Sequence, residues 1–283
     1  MKIGIDSYCY HRYFGDWYPE LQTDPGRRMT VWDFLDRARA HGAQGVSLES
    51  CYMPEATDEF IDRLREKLAE YRLDAVWAWG HPNGLGSGTK PEAVEDLIDH
   101  LAIARRLGAR VMRICGGGRR TRPASWPEHK QKLVPLLQSV LDPAERNGVV
   151  MAIENHLDML ADEMVELITT IDSPWLRVCL DSGNNLRLFE DPLVVAAKLA
   201  PYACATHLKS LTAWRGDPKT FQFWPSVPLD QGAVDIAEVV RLLQAANYTG
   251  LLAVEVDYLH PAYGDEDAAV ARSLDYLRTL LPG

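Results

Sequence analysis

Short apolar runs alternate with longer amphipathic stretches along the whole chain. The runs lie near residues 2–6, 45–49, 73–79, 110–115, 149–154, 176–181, 203–207 and 251–256, with the length and density of buried strands. Between them, near 30–41, 58–71, 90–107, 127–147, 160–170, 191–200, 233–246 and 265–281, apolar residues recur at helical spacing. An order of strand then helix, kept throughout, implies parallel strands joined by helical crossovers. Eight such units predict an α/β chain forming a single (β/α)₈ TIM barrel, one domain over residues 1–283.

Local punctuation supports the boundaries. His41-Gly42, Leu107-Gly108, Asn147-Gly148 and Thr249-Gly250 each place, ahead of a strand, a glycine able to adopt φ > 0 and end a helix. Asp191-Pro192 supplies an N-cap followed by proline in the first turn, and Thr30-Val31-Trp32-Asp33 resembles a capping box. Within strands, alternate residues face opposite sides. Met151 and Ile153 share one face of strand five, and Val150, Ala152 and Glu154 share the other. The same parity sets Ile3 and Ile5 against Asp6, Val46 and Leu48 against Glu49, Val178 and Leu180 against Asp181, and Leu252 and Val254 against Glu255. Large apolar groups thus suit the strand–helix layer, and a polar group points inward at the C-terminal end of each strand, where barrel enzymes build their sites.

Composition narrows the class. With 47% hydrophobic and 25% charged residues and no apolar run near the roughly 18 residues of a membrane span, no membrane partner is expected. The five cysteines (9, 51, 115, 179 and 204) are scattered and form no CxxC pair, so neither a disulfide framework nor a zinc-type cysteine cluster follows. Met1-Lys2-Ile3-Gly4-Ile5 reads directly as a strand rather than a signal peptide, which gives a cytoplasmic expectation. A formal charge of −10 argues against a nucleic-acid partner, since that affinity rests on neutralising phosphates.

The candidate chemistry lies at the ends of strands five to eight. These read Ile153-Glu154-Asn155-His156, Leu180-Asp181-Ser182-Gly183-Asn184, Thr206-His207-Leu208-Lys209 and Val254-Glu255-Val256-Asp257. Three acids converging in a barrel mouth are costly unless paired or bound to a metal. Glu154, Asp181, His207 and Glu255 are therefore the expected ligands of one divalent ion. Three carboxylates and an imidazole suit Mn²⁺ first, with Mg²⁺, Co²⁺ and Zn²⁺ as alternatives, and the lack of thiolate argues against a structural zinc.

Those segments, with Ala152 ahead of the first, Ser210 after the third and Ala253 ahead of the last, resemble the four metal-ligand segments of the xylose-isomerase-like barrels, in the same order. That family includes sugar-phosphate isomerases and epimerases, ketose 3-epimerases, inosose dehydratases, C-glycoside deglycosidases and class II apurinic endonucleases. The resemblance implies the same four ligands, and it implies that Glu154 and Glu255 also serve as the acid/base pair on opposite faces of the substrate. It further implies substrate-holding roles for Asn184, Lys209 and Arg215. The chain departs from the family where many members carry His-x-Lys-Asp, since Ser210 follows Lys209, and where many carry a histidine, since Asn184 stands there. The missing histidine and the acidic charge argue against the endonuclease branch.

His156, two residues past Glu154, points into the same mouth if the strand continues and is a candidate base. Glu49, His81 and Arg113 are assigned inward positions on strands two, three and four, as candidate contacts for substrate hydroxyls. The run Gly116-Gly117-Gly118-Arg119-Arg120-Thr121-Arg122 lacks a P-loop pattern and reads as a solvated loop. Trp77, Trp79, Trp214, Phe221, Phe223 and Trp224 read mainly as packing, with some available to wall a pocket for an aromatic or glycosidic substrate. The expected function is a metal-dependent isomerase or epimerase of a small polyhydroxylated carbonyl substrate. The alternative is a lyase that eliminates a β-leaving group, an inosose-type dehydratase or a 3-oxo-C-glycoside deglycosidase. A homo-oligomer, or a small partner subunit in the deglycosidase case, fits these readings.

Overall fold

A computed structural model describes residues 1–214 and 224–281. Eight parallel strands close into a barrel: Lys2–Asp6, Gly45–Glu49, Asp74–Trp79, Val111–Ile114, Val150–Glu154, Leu176–Asp181, Ala203–Leu208 and Leu251–Val254, here called barrel strands one to eight. Strand eight pairs with both strand seven and strand one, which completes the ring. The helices Val31–Ala40, Asp58–Tyr71, Ala93–Leu107, Ala161–Ile171, Pro192–Leu199, Ile236–Ala245 and Glu266–Leu280 fall in the expected intervals. No helix among the described residues is long and apolar enough to cross a membrane.

Two expectations change in detail. The stretch expected as one helix over 127–147 is two, Trp126–Ser139 and Leu141–Asn147, with Val140 between them at φ −103°, ψ −1°. Pro143 has no N–H to donate to the carbonyl four residues back, and its ring crowds that carbonyl, so the first helix stops there. Gly42, Gly108 and Gly148 do take positive φ after their helices, but Gly250 does not. Asn247, at φ 59°, makes that turn instead. Thr30 and Asp33 form the full capping box, each side chain bonded to the other's backbone N–H.

The strand parity determines the two cores. Ile3, Ile5, Leu48, Met151, Ile153 and Leu180 face outward and pack with Phe34, Leu64 and Leu101 of the helices. The barrel interior is filled lower down by uncharged groups, with Val76, Leu251 and Ala253 in one cluster and Ala152, Cys179 and Ala205 in another. Gly4 makes room for this plug, because a Cβ there would lie 2.5 Å from the Gly45 carbonyl oxygen and 2.6 Å from Leu251. Above the plug, toward the C-terminal ends of the strands, the interior is charged. The loop after strand seven begins with a ribbon of Ser210–Leu211 against Ser226–Val227.

Candidate metal centre

Each of the four expected ligands is aimed by its own surroundings. On strand six, Asp181 Oδ1 accepts the backbone N–H groups of Gly183 and Asn184, both at 2.7 Å, which leaves Oδ2 facing the barrel axis. Asn155 fixes the height of that aspartate, donating to the Asp181 carbonyl at 2.8 Å and accepting its N–H at 2.7 Å. On strand seven, His207 lies between three acids. Its Nε2 is 3.2 Å from Asp6 Oδ2, and its Nδ1 is 3.4 Å from both Glu154 Oε1 and Glu255 Oε2. An imidazole that gives its Nε2–H to a carboxylate presents Nδ1 as the ligand nitrogen, the usual arrangement behind a metal-bound histidine. One potential ligand atom from each of Glu154, Asp181, His207 and Glu255 lies within 4.8 Å of the others, and all four residues are buried.

Lys209 closes the group. Its Nζ stands 2.8 Å from Glu255 Oε2, 3.2 Å from Asp181 Oδ2 and 3.5 Å from Asp257 Oδ2. Its stem passes where a side chain at position 183 would be, since a Cβ on Gly183 would lie 2.5 Å from Lys209 Cγ. Ser182 holds the lysine backbone from both sides, donating to its carbonyl at 2.7 Å and accepting its N–H at 2.9 Å. Asn184 donates to Glu154 Oε1 at 3.0 Å and accepts from Lys209 at 3.4 Å.

The electrostatics are those of a site short of cations. Burial pushes Asp181 up to about 7 against the pull of Lys209, with Glu255 and Glu154 adding to the rise. Burial opposes charge on His207, yet Glu255, Glu154 and Asp6 hold it well above the usual imidazole range. Glu154 goes the other way: its burial is outweighed by His207 and then Arg113, and its carboxyl lies well below the usual range. Asp181 Oδ2 and Glu255 Oε2 lie within ion-pair reach of Lys209 but accept no well-formed hydrogen bond. Two buried carboxylate oxygens and an imidazole nitrogen turned toward one point fit a divalent cation, by oxygen-rich donor chemistry as well as by spacing. The cluster could bind a metal through Glu154, Asp181, His207 and Glu255.

The remaining candidates divide. Glu49 and Arg113 are buried beside this group and pair with one another. His156 is half-buried with Nδ1 2.7 Å from the Gly117 carbonyl oxygen. His81 does not sit inward by strand parity: strand three ends at Trp79, Gly80 turns the chain at φ 96°, and His81 Nε2 lies 3.2 Å from Asp16 Oδ2. Trp77 and Trp79 are packing residues whose indoles donate to His100 and Asp96. The Trp214 ring lies 4.4 Å from that of His260, and Arg215, Phe221 and Phe223 lie outside the described residues. The glycine run is solvated only in part. Gly116, Gly117 and Gly118 are buried, a Cβ on Gly117 would lie 2.0 Å from Ser87 Oγ, and Arg122 pairs with Glu163 at 2.8 Å, whereas Arg119 and Arg120 are exposed.

Three charged residues escaped the sequence reading as site members. Asp6 was seen only as a polar strand end. Asp257, 2.6 Å from Arg187 and 3.5 Å from Lys209, has the signal of standing two residues past Glu255. Arg187, in the turn after strand six, carries no pattern that would single it out.

A family model described as xylose isomerase-like TIM barrel matches residues 35–280. Among curated relatives, 3-oxo-isoapionate decarboxylase of Pectobacterium atrosepticum is 27% identical over 149 residues, a match covering 53% of this chain and 49% of that protein. Inosose dehydratase of Clostridium beijerinckii is 21% identical over 98% of this chain and 93% of its own length. The solved structure of L-ribulose 3-epimerase superposes with a TM-score of 0.74 at 19% identity, covering 99% of this chain and 94% of that one. By their names these relatives are enzymes of different reaction type. With residues 35–280 inside the matched span, the chain belongs to the xylose isomerase-like TIM barrel family.

Proposed function

We propose that this chain is a divalent-metal-dependent enzyme, with Mn²⁺ as its ion, that removes a proton from the carbon beside a carbonyl of a small polyhydroxylated substrate and returns it as an isomerase or epimerase. The observation that carries this reading is the convergence of four ligand atoms within 4.8 Å beside a buried lysine. A divalent ion held by Glu154, Asp181, His207 and Glu255 would supply Lewis acidity toward the carbonyl and an adjacent hydroxyl, which acidifies the neighbouring C–H. Glu154 and Glu255 come from opposite flanks of His207 and are the two carboxylates able to hold a proton on either side of a planar enediolate. Lys209 and Asn184 are assigned to orient substrate oxygens beside Glu255 and Glu154, the carboxylates they already touch.

One observation favours elimination as a second reading. The Gly117 carbonyl can only accept, so the 2.7 Å contact places a proton on His156 Nδ1 and turns Nε2 away from that bond. Nε2 makes no hydrogen bond among the described residues, which suits a base that takes the proton from the carbon beside the carbonyl as the β-leaving group departs with its bonding pair. The test is turnover of ketoses, inososes and 3-oxo-glycosides in deuterated solvent by metal-loaded protein. A two-base epimerase should lose orders of magnitude of turnover in both Glu154→Gln and Glu255→Gln at matched metal content, with deuterium found in an epimer or isomer. If His156→Ala is the most damaging metal-sparing change and a β-leaving group is released, elimination replaces epimerisation. Absence of deuterium incorporation from every substrate class overturns both.

A further inference from the structure

Two charged side chains of the upper barrel layer are left over from the metal centre. Glu49 ends strand two, Arg113 lies on strand four, and Arg113 Nη2 bonds to Glu49 Oε1. The same guanidinium brings Nε to 3.4 Å from Glu154 Oε2 and Nη1 to 3.3 Å from the Trp79 carbonyl oxygen. One planar group therefore links Glu49 to a proposed metal ligand. The second oxygen of Glu49, Oε2, has no such partner: it is buried and accepts no hydrogen bond among the described residues.

Stability does not account for this pair. A buried ion pair contributes little over apolar residues of the same volume, and the layer below is filled without charge by Val76, Val111 and Leu251. A buried acceptor without a donor calls for a physical explanation, and a bound molecule that supplies the donor is one. Ser7 Oγ accepts the Glu49 backbone N–H at 2.9 Å, and Asp6 Oδ2, an acceptor, faces His207, so neither of these neighbours donates to Oε2. What is missing at Glu49 is a donor to Oε2, on a side chain that one guanidinium joins to Glu154, a proposed metal ligand.

We propose that Glu49 and Arg113 form a hydroxyl-binding subsite, in which Glu49 Oε2 accepts from a substrate hydroxyl next to the carbonyl–hydroxyl pair. The substrate class is then a carbonyl compound oxygenated on at least three consecutive carbons. This rests on the proton-abstraction reading of the metal centre. A charge-assisted hydrogen bond in a closed site discriminates strongly against an analogue lacking the hydroxyl, because the carboxylate is then left buried and unpaired.

Two small ketones test it. Dihydroxyacetone has three contiguous oxygens; hydroxyacetone keeps the carbonyl and one hydroxyl but lacks the third. Loss of hydroxymethyl C–H signal in D2O, followed by proton NMR with metal-loaded protein and corrected for metal in buffer, gives a rate for each. The wild type should exchange dihydroxyacetone about tenfold faster or more. In Glu49→Gln, which keeps an oxygen for Arg113, and in Glu49→Ala, that ratio should fall toward one, with metal content and melting temperature recorded alongside. A wild-type ratio near one, or an unchanged ratio in folded, metal-loaded Glu49→Gln, overturns the subsite and leaves the parent reading standing. Exchange of neither ketone overturns proton abstraction at this centre, and the subsite with it.

Discussion

Asp6 shows how much of a metal site can reside in a residue that would never touch the ion. Its Oδ1 accepts the Tyr8 backbone N–H at 2.6 Å, and its Oδ2 stands 3.2 Å from His207 Nε2, so each oxygen has one assigned partner. Burial raises the Asp6 carboxyl, but the hydrogen bond and charge of His207 outweigh it and the group ends below its ordinary range. A carboxylate in that position keeps the imidazole proton on Nε2 and makes Nδ1 the better donor to a metal. Asp6→Asn preserves shape and can cap Tyr8, yet its single carbonyl oxygen cannot serve both partners. Metal affinity, measured by competition with a chelating dye, should fall about 10- to 100-fold in that variant, whereas Asp181→Asn and His207→Ala should lose the ion outright. An unchanged dissociation constant in Asp6→Asn would remove Asp6 from the centre.

At the level of strands and helices, legibility follows from how local each signal is. Period-two alternation gave every barrel strand within a few residues and the inward direction of Glu154, Asp181, His207 and Glu255, because side-chain direction in a strand is fixed by neighbouring residues. His81 failed for the same reason: alternation ends where the strand ends, and the turn at Gly80 lies outside the rule. The Asn155 bridge to strand six and the Arg187–Asp257 pair were illegible because their partners are 26 and 70 residues away, and only barrel closure brings them together. Gly4 and Gly45 gave no sequence sign of their purpose, which is to let the Leu251 side chain occupy the axis between strands one and two. Gly4→Ala should therefore force Leu251 and the Gly45 backbone apart and destabilise the barrel by about 1–3 kcal/mol, as overpacked cores do. A urea midpoint equal to wild type would show that the lower barrel has slack the structure does not reveal.

For the molecule as a whole, the buried layer at the C-terminal face couples stability to pH and to metal. Asp181 and Glu49 are both pushed up to about 7, in each case chiefly by burial, and His207 is held well above its ordinary range. Groups with raised folded values bind protons more readily in the folded than in the unfolded chain. The stability they contribute is complete below their unfolded values and is lost as pH rises through the folded ones, so for Asp181 and Glu49 the loss runs from about pH 4 to beyond 7. Asp257 opposes this only in acid: Arg187 and Lys209 outweigh its burial and hold it well below the usual range, so its contribution disappears only as pH falls through that depressed value. The metal-free protein should therefore weaken between pH 6 and 8, where protons leave Glu49 and Asp181, of which only the one on Asp181 stands in for the cation. Metal needs Asp181 ionised and His207 neutral, so proton and ion compete for the same atoms. Each proton displaced adds up to about 1.4 kcal/mol per pH unit to the stabilisation by saturating metal. The gap in melting temperature between metal-loaded and chelator-treated protein should widen steadily from pH 6 to pH 8 in thermal unfolding at fixed ionic strength. A gap that stays constant or narrows over that range would mean that the buried acids and His207 do not exchange protons for the metal, and that the ion, if bound, is held elsewhere.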